Sequence, residues 1–117
     1  MTLSLCVAGC GRYAASVLND VRHTLGDVDL LFASRDIEKA QQFNHTYGGV
    51  GFFGSYEEAA ADRRIDAMYF VTPHNMHLGN AILAARNTKH ILMEKPIART
   101  ITEASQIIKA ARDAGVK

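Results

Sequence analysis

A glycine-rich turn at residues 9–14, with the sequence Gly-Cys-Gly-Arg-Tyr-Ala, constrains the fold more than any other feature of this chain. It follows the apolar run Leu3–Ala8 and precedes apolar residues at helical spacing, so it joins a predicted buried strand to a predicted helix. Within such a unit the form G-x-G-x-x-A has a physical reason at each small position. Gly9 permits the tight turn, Gly11 lets the main chain approach a pyrophosphate, and Ala14 lets the helix pack on its strand.

The start of the helix after this turn is a predicted phosphate site. The N–H groups of a first helical turn have no partner within the helix, and the helix dipole adds positive potential there. The candidate cofactor-binding positions of this segment are Gly9, Cys10, Gly11, Arg12 and Tyr13. Glycines also serve ordinary turns, and the place of this turn between a strand and a helix is what favours the phosphate interpretation.

Apolar runs alternate with amphipathic stretches from the turn to the end of the chain. The predicted strands lie at residues 3–8, 28–33, around 52–53, at 66–72 and at 89–94. Predicted helix starts are capped by Asp36, Ser55 and Thr100, and predicted helix ends lie at Gly26 and Gly115. The predicted buried positions are Ala14, Val17, Leu18, Val21 and Leu25 on the first helix, Leu78, Ala81, Ile82 and Ala85 on the fourth, and Ala104, Ile107, Ile108 and Ala111 on the fifth.

This alternation predicts the fold class. Strands that are each followed by a helix imply a parallel sheet with right-handed crossovers and helices on both faces. With the glycine turn after the first strand, we predict an α/β Rossmann fold, a doubly wound parallel sheet in the strand order 3-2-1-4-5. The length of 117 residues fits one domain over residues 1–117.

Composition argues against several classes of partner. The formal net charge of +1 gives no electrostatic footprint for nucleic acid or for a membrane surface. No apolar run approaches the roughly 20 residues that cross a bilayer, and there is no secretory leader, so we expect a cytoplasmic protein. Cys6 and Cys10 are predicted to be small buried residues, and no second Cys/His pair stands at a zinc spacing, so no metal is predicted.

The end of the second predicted strand distinguishes the two nicotinamide dinucleotides. An NAD site usually has Asp or Glu there to accept a hydrogen bond from the ribose 2′-hydroxyl, whereas this chain has Ser34 and Arg35. The carboxylate that would repel a 2′-phosphate is missing, and a guanidinium pairs with phosphate through charge-assisted hydrogen bonds. We predict NADP as the cofactor. NAD is the alternative, with Arg35 as a solvated surface residue.

Two proline-ended segments follow the fourth and fifth predicted strands. Thr72 and Pro73 end the fourth strand, and Glu94 and Lys95 with the next proline end the fifth, at the sheet edge where ligands bind in open α/β folds. A lysine held there is able to exchange a proton with a substrate hydroxyl, and the Lys95–Pro96 bond is a candidate for the cis form. Taken alone, such a lysine is more often a solvated boundary residue, and His77 is explained as well by capping the fourth helix.

Residues 9–14, 72–77 and 89–96 together resemble the Gfo/Idh/MocA family, named after glucose–fructose oxidoreductase, inositol dehydrogenase and a rhizopine-catabolism protein. The resemblance spans essentially all 117 residues, and the Glu-Lys-Pro segment is its most specific part. It implies that Lys95 lies beside the nicotinamide and the reacting hydroxyl as the catalytic residue, and that Ser34 and Arg35 suit NADP. The other implied cofactor contacts come from Thr72, Pro73, His77 and Glu94. The implied activity is hydride transfer to or from a sugar, a cyclitol or a related polyol.

The chain departs from the family pattern in three ways. His74 stands where asparagine is common, which puts that contact in doubt, and Thr88 stands where glycine is usual, a change expected to be harmless. The family also has a second domain that supplies the substrate pocket, and this sequence stops where that domain would begin. We therefore expect residues 1–117 to bind the cofactor with little or no turnover.

Two other functions and one mode of association are compatible with parts of this sequence. A non-catalytic nucleotide-binding or interaction module would keep the glycine turn but have no use for Lys95, and the two proline segments argue against a methyltransferase-like domain. Val116 and Lys117 are expected to start a sixth strand. If the apolar edge at residues 90–93 is left open, it favours a homo-oligomer, because open edges pair with other chains.

Overall fold

The five apolar runs pair into one parallel sheet in the order 3-2-1-4-5, as predicted, in a computed structural model that describes residues 2–117. The strands are β1 (Leu3–Ala8), β2 (Val28–Ala33), β3 (Gly51–Phe53), β4 (Ala67–Phe70) and β5 (His90–Met93). The helices are α1 (Arg12–Val21), α2 (Ile37–Tyr47), α3 (Tyr56–Ala61), α4 (His77–Arg86), which follows a short 3₁₀ turn at His74–Met76, and α5 (Ile101–Ala114). The predicted α/β Rossmann fold is confirmed.

Alternate residues of each strand supply the two faces of the sheet, because successive strand side chains point to opposite sides. On one face, Val7, Leu30 and Phe32 pack with residues of α1 and α2. On the other face, Cys6, Leu31, Met68 and Phe70 pack with residues of α3 and α4. The central strands are thus buried on both faces, and their carboxyl ends lie together at one edge of the sheet.

Helix ends follow the predicted capping chemistry. The Asp36 carboxylate accepts from the N–H of Glu38 at the start of α2. The Ser55 hydroxyl accepts from the N–H of the third residue of α3, and the Thr100 hydroxyl accepts from the N–H of the third residue of α5. Gly115 ends α5 with a φ of 70°, in the left-handed region that glycine adopts without strain. These local signals explain why the second, third and fifth helices start where predicted.

The first helix ends earlier than predicted. It stops at Val21, and the residues from 22 to Gly26 form a turn rather than a fourth helical turn. The Thr24 hydroxyl and N–H both donate to the Val21 carbonyl, at 2.8 Å each, which replaces the continuing helical pattern with a local one. Leu25 still packs against the core. Its apolar spacing therefore predicted its burial correctly, whereas the prediction that it lies in the helix was wrong.

The buried face of α4 is rotated from the predicted one. His77, Asn80, Ala81, Ala84 and Ala85 are buried, whereas the predicted Leu78 and Ile82 are half-buried. The apolar pattern could not indicate this, because two of the buried residues are polar and satisfied by hydrogen bonds. On α5, Ile107 is buried as predicted, whereas Ile108 is 51% exposed.

Thr88 is strained, which corrects the expectation that its replacement of a glycine is harmless. Its φ is 58°, in the left-handed region. A β-branched residue rarely adopts this conformation, and for L-residues it costs about 1–2 kcal/mol. The following residue, Lys89, is buried, and its ammonium donates to the carbonyls of Asp62 and Ile65 at 2.7 and 2.6 Å. This anchor holds the β5 start against the loop before β4.

The outer edge of β5 is only partly open. The Ile91 N–H donates to the Lys117 carbonyl at 2.7 Å, so the last residues lie beside β5 without forming the expected sixth strand. Beside this edge, Ile97, Ile108 and other apolar side chains of β5 and α5 line an exposed groove of about 540 Å³. Association through this edge stays a prediction.

Within residues 2–117, no helix is both long and apolar enough to cross a membrane.

Candidate cofactor site at the carboxyl edge of the sheet

Four loops meet at the carboxyl edge of the sheet because all five strands run in the same direction. They are the glycine turn after β1, Ser34 and Arg35 after β2, Thr72 and Pro73 after β4, and residues 94–96 after β5. In open α/β sheets this edge, where the strand order reverses, is where ligands bind. The predicted segments are therefore neighbours in space despite their distance along the chain.

The glycine turn leaves an open cradle at its second glycine. Gly11 is the N-terminal cap of α1, and no side chain occupies its capping position. A Cβ atom added at Gly11 would meet no atom within 4 Å, so the space above this main chain is free for a ligand. The first helical hydrogen bond is from Ala15 to Gly11, which leaves the N–H groups of Arg12 and Tyr13 without helical partners. This geometry fits a pyrophosphate.

Gly9 is required for a different reason. Its φ is 111°, and a Cβ atom there would lie 2.6 Å from the Val71 carbonyl oxygen. Its N–H donates to the Ala33 carbonyl at 2.9 Å. The turn is therefore wedged between the ends of β2 and β4, and only glycine fits.

Two clefts meet over this turn. The Lys95 cleft, of about 460 Å³, runs from Gly11 and the start of α1 to Thr72, Pro73 and Lys95. The Arg35 cleft, of about 270 Å³, runs from the same turn to Ser34 and Arg35. All predicted site residues except His77 line one cleft or the other. The combined shape suits an elongated ligand bent over the glycine turn.

The Arg35 cleft combines two cations with a hydroxyl. Ser34 is buried, and its Oγ accepts from the N–H of Asp36 at 3.1 Å, which still leaves its own proton to donate. Lys39 lines the same cleft one helical turn after Arg35. Burial raises the pKa of the Tyr56 hydroxyl, and the guanidinium of Arg35 beside it opposes that effect. Asp36 also lines this cleft, and its carboxylate accepts from the Glu38 N–H at the start of α2. The two cations outnumber this one carboxylate, so this end of the site favours an anion.

Cys10 contributes main chain to the site rather than a reactive thiol. Its side chain is buried in the core, and the Sγ lies 3.5 Å from the Ala33 carbonyl oxygen. Burial raises the pKa of the Cys10 thiol to about 12, although nearby Lys39 acts in the opposite direction. The prediction that both cysteines are buried is confirmed.

The Glu94 carboxylate is held by two tyrosines beside Lys95. Tyr69 donates to one of its oxygens at 2.5 Å, and Tyr13 donates to the other at 3.4 Å. The Lys95 N–H also donates to this carboxylate, at 3.2 Å. The hydrogen bond from Tyr69 is the main reason why the pKa of the Glu94 carboxyl is below its usual range. Glu94 is thus a charged anchor under the Lys95 cleft, and the exposed Lys95 follows it directly.

Replacing Tyr69 by phenylalanine is expected to lower the free energy of unfolding at pH 7 by about 1.5 kcal/mol, the lower end for a hydrogen bond to a charged group. The bond depresses the pKa of Glu94 in the folded state, so its stabilisation is present above the usual pKa of 4.5 and is lost as the pH falls through the folded pKa. Urea unfolding of wild type and variant should show a gap at pH 7 that narrows near pH 3. Tyr13→Phe, with its longer contact, is the control and should show a smaller gap. An equal Tyr69→Phe gap at both pH values would contradict the role of the Glu94 charge.

His77 lies beneath the clefts rather than in their walls. Its ring is 1% exposed, and both nitrogens face main-chain carbonyl oxygens of Thr72 and of residues 96–97. The His77 ring is therefore not placed to contact a cofactor directly.

The Lys95–Pro96 peptide bond is cis, as the sequence suggested.

Sequence reasoning missed four residues around this site. Lys39 lines its cleft because α2 packs on β2 and β3, which brings Lys39 beside the glycine turn. Tyr69, Val71 and Asn80 lie in segments predicted as a strand and a helix, and no role in the site was predicted for them. A short polar residue at position i+3 from His77 on the same helix was the one signal that pointed to Asn80. Within residues 2–117, no group of three His, Cys, Asp or Glu side chains is placed to hold a metal ion.

Comparison with known proteins agrees with this geometry. The GFO_IDH_MocA family model, described as an oxidoreductase family with an NAD-binding Rossmann fold, matches residues 3–117. Among curated relatives, scyllo-inositol 2-dehydrogenase (NADP(+)) IolU of Bacillus subtilis is 35% identical over 83 residues, which is 71% of this chain and 26% of the relative. The chain spans between 23% and 30% of the length of the first curated relatives that it matches.

Solved structures share the fold over the whole chain. The 3-ketoreductase KijD10 from Actinomadura kijaniata, in complex with NADP and TDP-benzene, superimposes with a TM-score of 0.90 and 26% identity, over 99% of this chain and 36% of that one. An NAD binding oxidoreductase from Klebsiella pneumoniae gives a TM-score of 0.88 at 25% identity, over 99% of this chain and 33% of that one. Similar folds are thus described with either nicotinamide cofactor.

Proposed function

Because this chain belongs to the Gfo/Idh/MocA family of oxidoreductases, we propose that residues 1–117 form the cofactor-binding domain of an NADP-dependent enzyme that acts on a sugar, a cyclitol or a related polyol. The observation that carries this proposal is the pair of clefts that meet over Gly11. One end offers Arg35 and Lys39 to an anion, the middle offers unpaired main-chain N–H groups, and the other end offers Lys95. These are the chemical needs of a phosphorylated ribose, a pyrophosphate and a reacting carbon, in that order.

When bound, the nicotinamide supplies the hydride chemistry, and the protein supplies orientation and a positioned proton. We place the bound nicotinamide end in the Lys95 cleft. There Lys95 Nζ donates a proton to the oxygen of a carbonyl substrate, or takes up the proton released by a hydroxyl. Glu94 stays ionised between its tyrosine partners and holds the main chain that carries Lys95. The two clefts of the described residues, 2–117, are open to solvent, so we propose that this domain alone binds the cofactor with little or no turnover.

The preference for NADP rests on the Arg35 cleft. Ser34 and Arg35 follow β2 where an NAD site usually has a carboxylate, Lys39 of α2 lines the same cleft, and a 2′-phosphate is able to pair with both cations. Ser34 adds a hydroxyl donor at the same place. NAD has a hydroxyl in place of the 2′-phosphate, so NAD binding would leave both cations without a charged partner on the ligand.

Replacing Arg35 by alanine is expected to weaken NADPH binding by about tenfold and to leave NADH binding nearly unchanged, because only NADPH has the 2′-phosphate that a charge-assisted hydrogen bond would hold. Lys39→Ala is expected to act in the same direction with a smaller effect, since an ammonium pairs with phosphate at a single point. Calorimetric titration of residues 1–117 with each dinucleotide measures both effects.

The matched control for these titrations is Arg63→Ala. Arg63 is an exposed arginine in the loop before β4, at the opposite edge of the sheet, and its loss should change neither affinity. Equal loss of NADH and NADPH binding in Arg35→Ala would contradict the phosphate role of Arg35. NADH binding as tight as NADPH binding in the wild type would contradict the preference for NADP and keep the oxidoreductase proposal.

A non-catalytic nucleotide-binding module is the alternative function. It would use the same glycine turn, but Lys95 would have no role in its function. The exposure of Lys95 at the wall of the cleft favours the enzyme, because a module has no need of a cation at that end.

A further inference from the structure

We propose that His77 is a positioning residue that joins the two proline-ended loops of the Lys95 cleft, because its two ring nitrogens contact main-chain carbonyl oxygens of both loops. This inference rests on the proposed function, since the loops it joins are those that would hold the nicotinamide end of the cofactor. In place of the expected direct contact with the cofactor, His77 would act through the loops that form the cleft.

The ring bridges the ends of β4 and β5. Nε2 lies 2.9 Å from the Thr72 carbonyl oxygen, and Nδ1 lies 2.9 Å from the Pro96 carbonyl oxygen and 3.1 Å from that of Ile97. Pro96 directly follows Lys95, and Thr72 directly precedes Pro73 at the opposite wall of the cleft. One side chain therefore spans from the threonine loop to the lysine loop.

The partners of His77 determine what the ring must do. Carbonyl oxygens only accept hydrogen bonds, so the ring bonds to one of them by donating its N–H. Which of the two nitrogens carries this N–H depends on the tautomer of the ring. In either tautomer the ring donates to one loop and lies in contact with the other. At 1% exposure, His77 therefore fills the space between the two loops.

The rest of α4 makes this fastening rigid. Asn80, one helical turn after His77 and also buried, accepts from the Thr72 hydroxyl at 2.6 Å. Thr72 is thus bonded at its carbonyl by His77 and at its hydroxyl by Asn80. Ala81 and Ala84 of the same helix are fully buried against the neighbouring elements, so α4 has little freedom to move. The helix serves as a platform from which both cleft walls are aligned.

The experiment compares two ligands with His77→Gln, which keeps an amide donor but lacks the ring that contacts both loops. NADPH spans both clefts, whereas 2′,5′-ADP carries the phosphorylated adenosine half and does not reach the Lys95 cleft. Calorimetry on residues 1–117 should show about tenfold weaker NADPH binding and unchanged 2′,5′-ADP binding, because the loss of the contact between the loops loosens the nicotinamide end alone. His23→Gln, an exposed histidine after α1, is the matched control and should alter neither.

Three outcomes of this comparison overturn the proposal. Equal weakening of both ligands would make His77 a general structural residue, and an unchanged NADPH affinity would remove its positioning role. The third concerns the ring itself, measured by NMR on the unliganded wild type. A ring N–H proton of His77 that is protected from exchange with water is expected, and its absence would contradict a hydrogen bond from the ring to either loop.

The ring measurement also separates this proposal from the proposed function. It needs no cofactor and no variant, so it decides whether the His77 ring is hydrogen-bonded to a loop even if His77→Gln does not fold. Failure of the wild type to bind either NADPH or 2′,5′-ADP would refute the dinucleotide proposal, and the ring proton would still report the hydrogen bond of His77.

Discussion

Lys95→Met is expected to lower kcat by about 10²–10⁴-fold, the usual contribution of a positioned proton donor, while dinucleotide affinity stays nearly unchanged. Lys95 lies at the wall of the cleft and its side chain is exposed, so methionine fits without displacing the core. The change removes the group that moves a proton and keeps a similar length of side chain. The measurement is kcat together with NADPH affinity in a catalytically active protein that contains residues 1–117 and a substrate-binding domain.

The matched control for Lys95→Met is Lys109→Met. Lys109 is an exposed lysine on α5 whose ammonium pairs with Asp113, away from both clefts, so its loss should leave kcat unchanged. If kcat is the same with and without the Lys95 ammonium, the catalytic role is wrong and the non-catalytic module becomes the better account. A parallel loss of dinucleotide affinity would instead make Lys95 a binding residue.

Gly9→Ala is expected to lower the free energy of unfolding by about 2–4 kcal/mol, because a backbone conformation that alanine rarely adopts adds to a steric clash. The φ of Gly9 is 111°, and the added Cβ would lie 2.6 Å from the oxygen and 2.9 Å from the carbon of the Val71 carbonyl. Both are main-chain atoms at the end of β4, which cannot move aside without disturbing the pairing with β1. Urea unfolding followed by circular dichroism measures the loss.

Gly11→Ala is the matched comparison for Gly9→Ala. Gly11 has an ordinary φ of −109°, and its added Cβ would meet no protein atom within 4 Å, so stability should change by less than about 0.5 kcal/mol. The methyl group would instead stand in the cradle where the pyrophosphate approaches, so NADPH binding should weaken. Equal stability losses in the two variants would contradict the different tasks assigned to the two glycines.

Local patterns predicted most of the architecture because they depend on neighbours within a few residues. The strand β1 and the strand β2 have the predicted bounds, and the caps at Asp36, Ser55 and Thr100 form the predicted hydrogen bonds. Errors arose where a local signal competed with another one. At the end of α1 the Thr24 hydroxyl bonds to the Val21 carbonyl, and at position 88 a β-branched residue adopts the left-handed conformation that it disfavours.

The sequence by itself determined the strand order, the glycine turn and the edge at which the proline segments meet. These follow from alternating periodicities, from the handedness of crossovers and from the unique freedom of glycine, all of which are legible in the order of residues. Only the tertiary structure decided how His77, Lys39 and Tyr69 act. Their partners are a carbonyl 19 residues away for His77, a cleft shared with the turn after β1 for Lys39, and a carboxylate 25 residues away for Tyr69. Such contacts depend on strand register and on the rotation of each helix, which long-range packing sets and no local pattern records.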